Sequence, residues 1–165
     1  MKSGSRKWDE AIWAAGAAGE RPDWADVMWY AVDELGFVGM FTSAGPGPIP
    51  RAVFRDLDAH YALAKYLRDL PFVGKPELLI YYKRTDAWRQ AAERGLYAFD
   101  YEGDSELPAG YRLVACPQAS FALSLGSLPT WAQEQFGELC VSNESFAESA
   151  GRVLDLSGVR SGLVM

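Results

Sequence analysis

Two periods of hydrophobic residues run through this chain, one helical and one of strands. From Arg51 to Asp69 the apolar positions Val53, Leu57, His60, Ala64 and Leu67 recur at alternating four- and three-residue steps, with Phe54 and Tyr61 widening the stripe. That spacing predicts an amphipathic helix with Arg51, Arg55, Asp58, Lys65 and Arg68 toward water. In "DVMWYAVDELGFVGMFT" the segments Val27–Val32 and Phe37–Thr42 are β-branched and aromatic, and "DELG" supplies a turn, so a hairpin is expected. Both segments are apolar on both faces, which predicts cover from each side. "ELLIYYK" (77–83) reads as a strand of the same kind and is expected to be central. "LYAFDYE" and "YRLVACP" predict a second hairpin across "GDSELPAG".

Breakers place the remaining elements. A first helix is expected from Asp9 to Gly19, ending before "ERPDW". Thr85 can cap a short helix through Arg94, with Gly95 at its exit. Pro129 suits the first turn of a helix from Thr130 to Leu139, and Ser142–Leu156 reads as a last helix or a helix plus strand. Strand pairs mixed with helices, without steady alternation, predict an α+β fold: a mostly antiparallel sheet of about five strands with helices packed on it. No repeat or low-complexity linker divides the chain. One domain over 1–165 is expected, with an N-terminal helical segment (1–25) and a candidate flexible tail (157–165).

Composition narrows the class. A chain of 165 residues that is 49% hydrophobic has enough apolar surface for a core of its own. Its longest apolar runs fall far short of the ~20 residues of a membrane span. The opening basic and alanine-rich residues imitate a secretion signal, but Asp9 and Glu10 interrupt it and Trp8, Ile12 and Trp13 suit an amphipathic helix. Two cysteines, Cys116 and Cys140, point to reduced thiols rather than a disulfide framework, so a soluble cytoplasmic protein is expected. Sixteen basic against 22 acidic residues give a net charge of −6, which repels nucleic acid; solubility is the stronger reading of that acidity and a basic protein partner the sharper one.

Few residues offer chemistry. The loop "MFTSAGPGPIPRAVF" places Ser43, Gly45, Gly47 and Arg51 between a strand and a helix start, a possible rim for an anion or small molecule. It matches neither G-x-x-x-x-G-K-[ST] nor G-x-G-x-x-G, and Pro46, Pro48 and Pro50 remove three N–H donors, so a stiff corner is the stronger reading. His60 is the one histidine, and its place on the apolar stripe suggests a core-edge role rather than a general base. One His and two Cys do not by themselves make a four-ligand zinc site. In "DYEGDSE" the carboxylates Asp100, Glu102, Asp104 and Glu106 alternate. Counted from Asp100, however, the sixth and twelfth positions of a calcium loop hold Ser105 and Tyr111 instead of glycine and glutamate. No catalytic residue, metal or cofactor is therefore expected. Trp24, Trp29, Tyr30, Tyr81, Tyr82, Tyr97, Tyr101, Tyr111 and Trp131 exceed what a small core requires, and aromatics favour interfaces and pockets; strands favour aromatics too, and a core place for most of them is the stronger reading.

The succession of hairpin, "TSAGPGPIP", helix, "PELLIYYKRTDAW" and "GLYAFDYEG…YRLVACP", over residues 26–140, resembles small bacterial single-domain proteins. More loosely it is similar to immunity proteins that neutralise polymorphic toxins. The resemblance implies one-to-one binding of a toxin domain by an acidic, aromatic-rich cytoplasmic protein without cofactor. It brings no catalytic residue with it. The leading expectation is thus a non-enzymatic binding protein, with Asp100, Glu102, Asp104 and Glu106 steering a basic partner beside Tyr101. Two alternatives stand beside it: a small-molecule or anion-binding domain, with or without enzymatic activity, with its pocket at Ser43–Arg51, and a structural homodimeric subunit.

Overall fold

The computed structural model describes residues 3–20, 23–80, 85–103 and 107–165. In chain order these form α1 (Ser3–Ala17), β1 (Met28–Asp33), β2 (Val38–Thr42), β3 (Ile49–Pro50), α2 (Leu57–Arg68) and β4 (Glu77–Leu78). There follow α3 (Asp86–Glu93), β5 (Tyr97–Glu102), β6 (Gly110–Cys116), α4 (Thr130–Gln135), β7 (Cys140–Val141) and β8 (Leu163–Val164).

The fold is α+β, as the pattern predicts, but the sheet differs from the expected five mostly antiparallel strands. Six strands lie in the order β4-β6-β5-β2-β1-β7, and β3 pairs separately with β8. The two hairpins, β1–β2 and β5–β6, are antiparallel, while β2 runs parallel to β5 and β1 parallel to β7. Parallel neighbours need a long crossover. Here the connection through α2 and α3 returns the chain to lay the second hairpin beside the first.

The first hairpin is buried on both faces, as expected. Only Met28 of β1 is exposed. One face carries a column of rings: Trp29 stacks on Phe41 at 4.1 Å and Phe41 on Phe99 at 4.7 Å, with Phe146 set edge-on to Phe99 at 4.9 Å. Trp29, Phe41 and Phe99 are fully buried, each worth roughly 1.5–3 kcal/mol of burial. The other face lies under α2 and α3. At the hairpin turn the buried Asp33 carboxylate accepts from the backbone N–H of Leu35 (3.0 Å), Phe37 (2.9 Å) and Phe146 (2.8 Å). It ties the turn to the C-terminal segment.

Several elements depart from the pattern. The stripe from Arg51 to Asp69 is two helices: a 3-10 turn over Arg51–Arg55, then α2. Asp56 separates them in an extended conformation (φ −150°), and its carboxylate caps α2 by accepting from Ala59 N–H at 3.0 Å. Periodicity alone ran through this cap. "ELLIYYK" is not central. Its β4 holds the sheet edge and pairs only with β6, behind Pro76, and residues 81–83 lie outside the described residues. Consecutive Leu78, Leu79 and Ile80 are half-buried rather than enclosed. The first helix begins earlier, at Ser3, and α4 stops at Gln135. Ser142–Leu156 is neither helix nor helix plus strand. It has one 3-10 turn at Phe146–Glu148 and a single bridge from Val153 to Arg112, its apolar residues being spent on the ring column and sheet rim. The segment 157–165 ends in β8, where Val164 is buried against Ile49. Among the described residues no helix is long and apolar enough to cross a membrane.

Candidate functional site

The loop from Ser43 to Arg51 turns its polar groups on its own chain. Ser43 is buried; its Oγ accepts from Val27 N–H at 2.8 Å and faces Asp26 Oδ1 at 3.4 Å. The same Asp26 oxygen accepts from Ala44 N–H at 2.9 Å. Ala44 and Gly45 both take the left-handed conformation, at φ 50° and 96°. At Gly45 a Cβ would stand 2.5 Å from the Asp23 carbonyl oxygen. At Gly47 it would meet Tyr101 Cγ and Tyr111 Oη, both at 2.8 Å. The Tyr111 hydroxyl donates to Pro48 O (2.9 Å) while accepting from Trp29 Nε1 (3.1 Å). Arg51 donates to Ala17 O at the end of α1. Glycine permits close approach and positive φ, and what approaches here is protein backbone and tyrosine. The loop fastens the segment 23–27 to the sheet.

That fastened segment carries Trp24. Along residues 24–28 exposure alternates, with Ala25 and Val27 inside and Trp24, Asp26 and Met28 outside. The Trp24 ring meets that of Trp8 on α1, with centroids 4.5 Å apart and planes inclined at 52°. Trp24 is 60% exposed and Trp8 56%. The helix behind Trp8 is anchored: Ile12 and Trp13 are buried, and Trp13 Nε1 donates to Val53 O at 3.1 Å. A polar seam fixes α1 to α2, with Arg6 bonded to Glu10 (3.0 Å) and Asp58 (2.7 Å) and the Tyr61 hydroxyl donating to Asp9. Glu20 and Asp23, both exposed, precede Trp24 in sequence, and Lys7, also exposed, precedes Trp8. Two indoles are therefore presented to solvent from a braced platform.

The acidic hairpin is arranged differently from its linear pattern. Strand alternation sends Asp100 and Glu102 to one face and Tyr101 to the other. Asp100 is half-buried, accepts from Thr42 Oγ1 at 2.6 Å, and burial raises its pKa. Thr42 in turn accepts from Trp88 Nε1 at 3.2 Å. Glu102 lies 3.8 Å from Arg112 Nε across the strand pair. Tyr101 packs edge-on against Tyr111 at 5.5 Å, over Gly47. Asp104 and Glu106 lie outside the described residues, as do Tyr81 and Tyr82. Trp8 was read from sequence only as part of an amphipathic helix. The signal for the pair lay in "WADVM", whose alternation turns Trp24 outward.

His60, Cys116 and Cys140, the groups most able to do chemistry, are each half-buried. His60 lies between the rings of Trp13 (4.7 Å) and Tyr30 (6.2 Å), beside a cavity of about 350 Å3 that Trp131 and Glu134 also line. Burial lowers its pKa to about 4, against the pull of Asp9 and a hydrogen bond to the Met28 backbone. Burial also pushes the Cys116 thiol up to about 11, with Glu77 adding to the shift, and raises that of Cys140. At neutral pH the imidazole is unprotonated, the form that accepts a proton, and both thiols keep theirs, which leaves the thiols weak nucleophiles. Among the described residues no group of three or more His, Cys, Asp or Glu side chains is placed to hold a metal ion.

No protein-family model, curated protein or solved structure matches the chain. What the site can do follows from its own geometry.

Proposed function

We propose that this protein acts by binding a basic protein partner, with the Trp8–Trp24 pair as the centre of the contact. The observation that carries this reading is the pair itself: two indoles more than half exposed, 4.5 Å apart, on a helix and a loop that are each braced from behind. Tryptophan is the residue most enriched at interface hot spots. Its face attracts Lys and Arg, by about 0.5–1 kcal/mol at exposed sites and more once desolvated. A net charge of −6 draws a basic surface toward the protein. A cationic side chain of the partner then lies against the rings, and the surrounding contact shuts out water. Occlusion of a toxin domain, as the sequence resemblance implies, is the form this binding takes in our reading. The protonated, half-buried thiols of Cys116 and Cys140 agree with action by contact rather than bond-making.

Affinity capture tests the proposal. The protein and a Trp8→Ala/Trp24→Ala variant are immobilised separately and exposed to lysate of the cells that encode the chain. The expected result is a basic protein retained by the first and lost from the second. Equal retention by both would overturn the site, and saturating capture that retains no protein would overturn the function. If the variant instead changed only sedimentation of the free chain, the pair would serve a homodimer.

A further inference from the structure

Helices α2 and α3 leave a gap above the sheet. A cleft of about 170 Å3 opens between them, with Met28 and Met40 of the first hairpin on its floor and Leu67 and Leu96 in its walls. Arg68 and Arg94 also line it, and among the described residues no carboxylate does. Met28 is held by the Tyr30 hydroxyl, which donates to its sulfur at 3.4 Å. Arg94 is likewise fixed: Nε donates to Leu70 O at 2.9 Å, Nη1 to Gln90 O at 3.3 Å, and the guanidinium lies 4.5 Å over the Phe72 ring. A guanidinium has five N–H donors, so these two bonds leave three. The nearby Asp69 carboxylate is bonded to Lys65 and also lies within the fields of Arg68 and Arg94.

Size, lining and charge together describe a ligand. An apolar hollow of about 150 Å3 is enough for a benzene-sized molecule. Methionine sulfur favours the edge of an aromatic ring, and arginine favours a carboxylate, which it grips through paired N–H bonds. We propose that the α2–α3 cleft binds a small organic carboxylate of benzoate size, its apolar body on Met28 and Met40 and its charge met by Arg68 and Arg94. This site is separate from the Trp8–Trp24 pair and stands or falls independently of it.

Methionine methyl NMR on the full chain provides the test. The chain has four methionines, and Met165, 81% exposed at the C-terminus, serves as an internal reference. Titrated benzoate is expected to shift the ε-methyl signals of Met28 and Met40 saturably and leave that of Met165 in place. Benzylamine and benzyl alcohol, which carry the ring without the carboxylate, are expected to shift them little. Arg68→Gln, at an exposed side chain, is expected to weaken benzoate binding about tenfold, the loss of one charge-assisted contact. Arg94→Lys, which keeps the charge but not the fork, is expected to weaken it as well, with an unchanged circular dichroism spectrum showing that the fold is intact. Unmoved Met28 and Met40 signals, equal binding of benzylamine, or an unchanged benzoate affinity in both arginine variants would each overturn the proposal.

Discussion

Gly45 stands against the carbonyl of Asp23, so closely that a Cβ on the glycine would lie 2.5 Å from that oxygen. This contact joins the glycine–proline loop to the segment that presents Trp24. Gly45→Ala combines a clash with backbone and a strained φ of 96°, and is expected to cost about 1–3 kcal/mol in urea unfolding. It should also alter the near-ultraviolet circular dichroism of the tryptophans. Gly126→Ala, where nothing lies within 4 Å, serves as the control and should change stability by less than about 1 kcal/mol.

The Tyr111 hydroxyl is shared between Trp29 and the loop, accepting from one and donating to the other. Tyr111→Phe leaves the buried Trp29 N–H and the Pro48 carbonyl without this partner. A loss of about 1–3 kcal/mol, measured by denaturant midpoint at unchanged slope, is the expected outcome. A loss well below that range would show that the loop is not fastened there.

His60 makes stability depend on pH in a defined direction. Its native pKa is lowered from 6.5 to about 4, so between those values the unfolded chain takes up a proton that the native imidazole refuses. The contribution is fully present above 6.5 and is lost as pH falls toward about 4, by at most about 3 kcal/mol. His60→Gln removes this term. The stability difference between wild type and variant should therefore shrink on acidification through that window, and a constant difference would contradict the assignment.

How much of this was legible in sequence can be judged from particular residues. Runs of β-branched and aromatic residues and the turns between them mark both hairpins, because each depends on neighbours within a few positions. The cap at Asp56 was written in the sequence too, but the apolar stripe passes across it and hides it. The parallel pairing of Gly39 with Tyr97 was not legible, since it joins residues far apart through a crossover with no local signature. Of the nine aromatics singled out in sequence, Trp24 and Trp131 are exposed, while Trp29, Tyr30, Tyr97 and Tyr111 are buried in the core. The meeting of Trp24 with Trp8 depends on how Asp23–Val27 is held by Ser43 and Gly45, a tertiary contact. The charges of Asp100 and Glu102 look free in a linear reading, and strand pairing brings them to Thr42 and Arg112.

Asp33 holds three backbone N–H groups with one buried carboxylate. Asp33→Asn keeps the shape but replaces an accepting oxygen with a donating amide, opposing at least one of those groups. A destabilisation of roughly 2–4 kcal/mol is expected, as for a buried charge-assisted contact turned unfavourable. Thermal unfolding should show it, together with earlier loss of amide protection around Phe146.

Hydrogen exchange on the captured complex tests the central claim most directly. If the Trp8–Trp24 platform is the contact, partner binding will slow exchange in residues 5–20 and 23–27 above all other segments. Protection confined to other parts of the chain, with those two segments exchanging as in the free protein, would contradict it.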